Sequence, residues 1–117
     1  MKETTYEIIE KKSRFIGYAA RINCEDEAKT FIAKITAEHP KAQHVAFAYV
    51  LPNTARMSDD GEPKGMAGLP IYNLIARRKL QNVAVAVVRY FGGTLLGKGG
   101  LIRAYSKAAG LSVDGME

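Results

Sequence analysis

Gly92, four further residues, and then Gly97-Lys98 reproduce most of the phosphate-loop spacing G-x-x-x-x-G-K-[ST]. In that motif backbone N–H groups cradle phosphates, the lysine reaches the terminal ones, and the last hydroxyl ligates magnesium. Gly99 occupies the hydroxyl position, and no apolar strand ending in aspartate offers a replacement metal ligand. Nucleotide hydrolysis is therefore disfavoured. A weaker reading survives, in which Gly97, Gly99 and Gly100 turn helix-start N–H groups toward an anion, supplemented by Lys98 and Arg103. The same glycines, with Gly92 and Gly93 ahead of them, can equally serve only a tight connection and close packing.

Asp59, Asp60 and Glu62 form an acidic cluster framed by Gly61 and Pro63. Oxygen ligands of this kind can hold a divalent cation, but the spacing is not that of an EF-hand and Pro63 limits wrapping, so no metal is assigned. Arg89 breaks an apolar run and must reach solvent or find a carboxylate. This cluster is the expected partner, giving an ion pair that fixes loop to strand. Tyr90 and Phe91 beside it can stack on bases or belong to the core. His44 is of the residue type that can act as an acid or base near neutral pH, yet no nucleophile accompanies it. Cys24 has acidic neighbours that disfavour a thiolate, against a helix start that favours one. No catalytic residue and no cofactor are assigned.

Periodicity supplies the elements that position these residues. Tyr6–Lys11 is an edge strand or a loose arm. Phe15–Ile22 carries Ile16, Tyr18, Ala20 and Ile22 on one strand face, with Gly17 a weak spot. Asn23 is placed to cap a helix. Its first turn is acidic and its stripe is Ala28, Phe31, Ile32 and Ile35, with His39 in the last turn and Pro40 as the stop. Val45–Leu51 alternates large and small residues, as in a strand buried mainly on one side. A Pro52-Asn53 turn and a short strand around Arg56–Ser58 follow. Pro70 suits the first turn of a second helix that ends in Arg77, Arg78 and Lys79. Val83–Val88 is apolar on both faces, as a central strand is. Leu101, Ala104, Tyr105 and Ala108 stripe a last helix, with Gly110 as its stop. The order β-α-β-β-α-β-α, with room for one more N-terminal strand, predicts an α+β domain: a mixed sheet with helices packed on one face.

A length of 117 residues fits one domain, 1–117, able to bury a core unaided. No apolar run approaches the roughly 20 residues of a membrane span. The start lacks a signal-peptide layout. One cysteine excludes an internal disulfide. A cytoplasmic location is expected. The net charge of +5 is lopsided: residues 1–63 carry nine Lys/Arg against ten Asp/Glu, residues 64–117 eight against two, and no acid lies between Glu62 and Asp114. Such a stretch can attract a polyanion such as nucleic acid, or simply be a solvated surface balanced by the other half.

Taken in order, Lys12-Ser-Arg-Phe-Ile, His44, Asp59-Asp60-Gly61-Glu62-Pro63, Gly65, Ala67-Gly68, Pro70, Arg89-Tyr-Phe-Gly-Gly, Leu96-Gly97, Gly99-Gly100-Leu101 and Arg103-Ala104-Tyr105 resemble the N-terminal domain of the IMPACT/YigZ family over nearly the whole chain. Lys64 and Met66 are larger than the residues associated with that loop. The resemblance implies a ribosomal protein S-five domain-two-like fold, shared with domain four of the translocation elongation factor, and a link to translation. Eukaryotic relatives restrain a stress kinase that phosphorylates an initiation factor by competing for its activator. Bacterial relatives usually carry a ferredoxin-like C-terminal domain, expected to be absent from this chain.

The first expectation is a non-enzymatic translation-linked module contacting RNA or the ribosome through its basic second half. The second is a protein-binding regulator of translational stress signalling that uses the Asp59–Pro63 loop. The third is an enzyme acting on a phosphorylated ligand held at the glycine turn. The binding surface expected on these readings comprises Lys12 and Arg14, His44, the acids Asp59, Asp60 and Glu62, then Arg89 and Tyr90, and finally Gly92, Gly93, Gly97, Lys98, Gly99, Gly100 and Arg103. No membrane partner is expected, and the oligomeric state is left open.

Overall fold

A computed structural model describes residues 3–116. Five strands, β1 (Glu3–Glu10), β2 (Ser13–Arg21), β3 (His44–Leu51), β4 (Thr54–Ser58) and β5 (Val83–Tyr90), form one sheet in the order β1-β2-β5-β3-β4. Three helices, α1 (Glu25–Glu38), α2 (Gly68–Arg77) and α3 (Gly97–Asp114), cover it. The α+β class holds, and the N-terminal segment is an edge strand paired along its length with β2. No helix among the described residues is long and apolar enough to cross a membrane.

Two details of the expected sheet are corrected. Every pairing is antiparallel, so the sheet is not mixed. The helix between β2 and β3 suggested parallel neighbours, but β5 inserts between those two strands and runs against both. The helices also occupy both faces. Val83, Val85 and Val87 of β5 share a core with α2 and α3, whereas Ala84, Ala86 and Val88 share one with Phe31 and Ile35 of α1. The crossovers β2-α1-β3 and β4-α2-β5 each join two parallel strands, run in opposite directions across the sheet, and serve pairs of opposite polarity. Crossovers of one hand would place both helices on one side, so these two have opposite hands, against the usual right-handed preference.

Caps depart from expectation in two places. Asn23 does not cap α1 with its side chain: Cys24 is the cap residue, and the Asn23 backbone N–H donates to Glu27 Oε1 at 2.8 Å. Gly110 does not stop α3, which continues to Asp114. It lies buried beside the side chains of Arg78 and Leu74, where an added Cβ would make only ordinary contacts of 3.4 Å and more.

The β1–β2 hairpin closes on Lys11 and Lys12, both left-handed at φ +45° and +71°. A two-residue turn of this type matches strand twist, but prefers Asn-Gly to paired lysines. Gly17, expected as a weak spot in β2, is where α3 lies down on the sheet. A Cβ there would overlap Ser112 Oγ and the Ala108 carbonyl. Gly17→Ala is therefore expected to cost about 2–3 kcal/mol, because backbone must move. Gly65→Ala, at φ +80° but with nothing within 4 Å, should cost only about 1 kcal/mol. Urea unfolding of the two variants beside the parent checks the ranking.

Candidate functional site

The acidic loop is built from the inside by its own backbone. Asp59 Oδ1 accepts from the N–H groups of Ala67 (3.2 Å) and Gly68 (2.9 Å), and Oδ2 from Gly65 (2.9 Å). It thus satisfies the start of α2, whose own cap position, Ala67, has no oxygen to offer. Burial pushes its carboxyl up, but the three donors outweigh that and hold it below the ordinary value. Asp60 Oδ2 accepts from Val45 N–H at 2.7 Å, and its carbonyl accepts from His44 Nδ1 at 2.7 Å. Asp60 and Gly61 both take left-handed backbone, turning the chain so that Glu62 points inward. These oxygens are spent on the loop itself, on β3 and on the start of α2, and among the described residues no group of three or more ligating side chains could hold a metal.

Glu62 and Arg89 are each only 7% exposed. Arg89 Nη1 donates to both Glu62 oxygens, at 2.9 and 2.8 Å, and the Tyr105 hydroxyl donates to Oε2 at 2.5 Å. His44 Nε2 lies 3.5 Å from Oε1. The Arg89 guanidinium sits near the rings of Phe15 (5.5 Å) and Phe91 (5.4 Å), and Phe15 meets Tyr105 edge-on at 5.2 Å. Burial, then the Glu62 hydrogen bond and charge, push the Tyr105 hydroxyl far above its ordinary value, so it stays a donor at any working pH. Three segments, the loop, β5 and α3, are tied at this one carboxylate. His44 is held at Nδ1 by a carbonyl and faces a carboxylate at Nε2, so both ring nitrogens look onto protein acceptors.

Beside the cluster opens a cleft of about 440 Å³. His44, Glu62 and Arg89 line it together with Pro63, Met66, Phe91, Leu95, Leu96, Leu101 and the first residues of α3, Gly97 and Lys98. Phe91 and Leu95 stand 45% and 81% exposed at its rim. Gln43 closes the end of β5 by accepting from Phe91 N–H at 2.8 Å. At its first turn α3 has no side-chain cap. Arg103 folds back over Gly99, so that a Cβ there would come within 3.0 Å of its Nη1. A phosphate-loop hydroxyl at that position would meet this guanidinium.

The expected surface residues therefore fall into separate groups. His44, Glu62, Arg89, Gly97 and Lys98 meet at the cleft, while Asp59 and Asp60 scaffold it. Lys12 and Gly92 touch through backbone, where a Cβ on Gly92 would overlap the Lys12 carbonyl, and Gly92 N–H donates to Ser13 Oγ at 3.2 Å. Gly93 supplies left-handed backbone at φ +87° in the same connection. Gly99, Gly100 and Arg103 form the exposed start of α3. Arg14 and Tyr90 lie on the opposite sheet face. Arg14 grips Glu7 through Nε and Nη2, at 2.7 and 3.1 Å, and covers the Tyr90 ring. The Tyr90 hydroxyl contacts His39 Nδ1 at 2.6 Å, and Tyr18 contacts the other His39 nitrogen at 2.6 Å. Leu95 was not singled out from sequence, Met66 was noted only for its size, and neither it nor Tyr105 was placed among the binding residues. Tyr105 was read only as core, although a tyrosine in an otherwise aliphatic stripe announces a hydroxyl needing a buried partner.

The chain matches the Impact N-terminal domain model over residues 11–113. It is 45% identical over 106 residues to the Bacillus subtilis IMPACT family member YvyE, covering 88% of this chain and 49% of that protein. It is 43% identical over 100 residues to the Escherichia coli IMPACT family member YigZ, covering 81% of this chain and 49% of that one. The protein IMPACT homolog of Schizosaccharomyces pombe is 30% identical over 95 residues, 77% of this chain and 34% of the relative. The chain spans about half the length of the bacterial relatives it matches. Among solved structures, a hypothetical protein superposes with a TM-score of 0.92 at 37% identity, over 96% of this chain and 57% of the other. The two-domain translational regulator Yih1 superposes at 0.61 and 28% identity, over 96% and 46%.

Replacing Glu62 with Gln leaves the Arg89 charge buried without a counter-ion, which should cost about 3–5 kcal/mol in urea unfolding. Tyr105→Phe keeps the ring and should cost about 1–3 kcal/mol. Asp59→Ala should cost about 1–3 kcal/mol at pH 7 by stranding three N–H donors. Because the folded Asp59 carboxyl titrates below the unfolded one, its contribution is present above about pH 4 and fades as pH falls through the folded value. Unfolding curves for parent and Asp59→Ala should accordingly converge in acid.

Proposed function

We propose, since this chain belongs to the IMPACT family through that family's N-terminal domain, that it is a translation-regulatory module which acts by binding, and that its basic rim contacts RNA, free or within the ribosome. Support for the regulatory role comes from the family and from the likeness to a protein described as a two-domain translational regulator. The observation that carries the RNA contact is a set of cations gathered around one groove in which Glu10 is the one acidic lining residue among those described. A groove of about 310 Å³ runs between Lys11 of the hairpin turn and Arg103 and Lys107 of α3, floored by Leu96, Gly100 and Ala104. Among the described residues only Lys107 there approaches a carboxylate, Glu10, at 3.9 Å, while Lys11, Lys98 and Arg103 pair with none. Each phosphate placed on such cations releases condensed counter-ions, so affinity arises from salt release and needs no base contacts.

A second reading, a protein partner, is favoured by Phe91 and Leu95, two exposed apolar side chains beside the cleft. It does not draw on Asp59, whose oxygens are already engaged by backbone.

Fluorescence anisotropy with a labelled single-stranded RNA of about 20 nucleotides tests the first reading. With three or four phosphate contacts, the slope of log K against log salt should be about −2 to −3. Changing Lys98 and Arg103 together to Ala should weaken binding about tenfold and flatten the slope by about 1.4. A salt-independent affinity, or one unmoved by the double change, refutes it. Retention of a protein that survives nuclease and is lost on Leu95→Asp supports the second reading instead.

A further inference from the structure

The cleft presents a set of donors that the protein itself leaves without acceptors. Arg89 spends only Nη1 on Glu62. Its Nε is enclosed and has no hydrogen-bond partner, and among the described residues its Nη2 donates to no protein group. Nε and Nη2 form the edge of a guanidinium that grips a carboxylate side-on. Arg14 shows that grip within the same molecule, with Nε and Nη2 on the two oxygens of Glu7 at 2.7 and 3.1 Å. At Arg89 the equivalent edge has no partner among the described residues. Buried N–H groups are rarely left unpaired, so an unmet donor on the wall of a cavity points to a ligand with an acceptor.

A second feature has the same sign. α3 is 18 residues long and begins on the cleft at Gly97 and Lys98. Its cap position, Leu96, brings no oxygen, so the first-turn N–H groups and the positive end of the helix dipole are uncovered. The Lys98 ammonium adds a full charge. The remaining wall is hydrocarbon, from Met66, Phe91, Leu95, Leu96 and Leu101, and the volume of about 440 Å³ falls within the range that holds small organic ligands.

Glu62 narrows the class further. Its oxygens already take Arg89 twice and Tyr105, and face His44 as well, so this carboxylate is engaged and is a poor acceptor for an amine or guanidine. Its negative charge also opposes a dianion, and since Arg89 already balances Glu62, Lys98 is left to match one negative charge. We infer that this cleft binds a small organic monocarboxylate with an apolar body, its carboxylate set between Arg89 and the start of α3 and its hydrocarbon against Met66, Leu95 and Leu96. The assignment is independent of RNA contact, and its test contains no nucleic acid.

Sodium octanoate is the probe, titrated to about 10 mM into the 15N-labelled chain and followed by amide and arginine Nε–H shifts. Saturable movement of Gly97, Lys98 and Gly99 amides and of the Arg89 Nε–H is expected. 1-Octanol should bind at least about tenfold more weakly, lacking the charge. Octyl phosphate, as a dianion at pH 8, should bind about fivefold or more weakly than octanoate, through repulsion by Glu62. Lys98→Glu should weaken octanoate at least about fivefold. Met66→Trp, which fills the cleft without touching the buried ion pair, should abolish the shifts while leaving the rest of the spectrum in place. Octanol binding as tightly as octanoate, octyl phosphate binding more tightly, shifts that do not saturate or that lie elsewhere, or full binding by a folded Met66→Trp chain, would each overturn the assignment.

Discussion

Burial of the Arg89–Glu62 pair constrains the rest of the site. Two opposite charges removed from water lose hydration that their mutual attraction recovers only when geometry is good and the remaining polar atoms are met. Here Nη1 reaches both carboxylate oxygens, Tyr105 takes a further lone pair, and the rings of Phe15 and Phe91 lie near the guanidinium. None of these partners is adjacent in sequence. The pair can therefore form only when the loop after β4, the end of β5 and the middle of α3 have arrived together. Its value is in register and position more than in net stability, since a hydrocarbon cluster of equal volume would be at least as stable. Asp59 and Asp60 follow from the same requirement: to aim Glu62 inward the loop must turn back on itself, and the two acids hold that turn through N–H groups of Gly65, Ala67, Gly68 and Val45.

A second constraint is the close approach of backbone to backbone around the cleft. Gly68 at the start of α2 lies so near Ser58 that an added Cβ would fall 2.8 Å from its carbonyl oxygen, and Gly92 lies closer still to Lys12. The chain is pinned on both sides of the cleft by contacts that no side chain could share. Consequently the cleft walls, including the exposed Leu95, hang from rigid supports, although the residues themselves lie on connections between regular elements.

Much of the frame was legible from spacing, because a strand buried on both faces and an amphipathic helix each leave a period in the sequence. β5 was read from Val83–Val88 and proved central, and the stripe of α1 faces the sheet as its spacing demanded. What periodicity does not carry is which strands become neighbours, so the insertion of β5 between β2 and β3, and the opposite hands of the two crossovers, were invisible. The ion pair was half legible: Arg89 in an apolar run called for a carboxylate, but three acids competed, and only backbone geometry at Asp60 and Gly61 selects Glu62. Tyr90 and Arg14 were grouped with Arg89, yet strand alternation already places Tyr90 on the other face from Arg89. Tyr105 was read correctly as belonging to the last helix and Gly110 wrongly as its stop; the hydroxyl's partner and the glycine's place beside Leu74 and Arg78 depend on tertiary neighbours that lie far away in the chain.

The glycine-rich segment is where these threads join. As a phosphate loop it fails at Gly99, where the magnesium-binding hydroxyl is missing. Yet the features that made it resemble one, an uncapped helix start and a lysine, remain. α3 begins on the cleft with Gly97 and Lys98 and continues through Gly100 and Arg103 into the basic groove. These positions fall within two turns of one helix, comparable to the screening length of about 8 Å at physiological salt. A charge placed in the cleft is therefore felt at the rim. A carboxylate seated against Lys98 lowers the positive potential that a phosphate would meet at Arg103, and a phosphate at Arg103 does the same for the carboxylate. Since such coupling is reciprocal, the two sites on α3 would antagonise each other to the same degree in either direction.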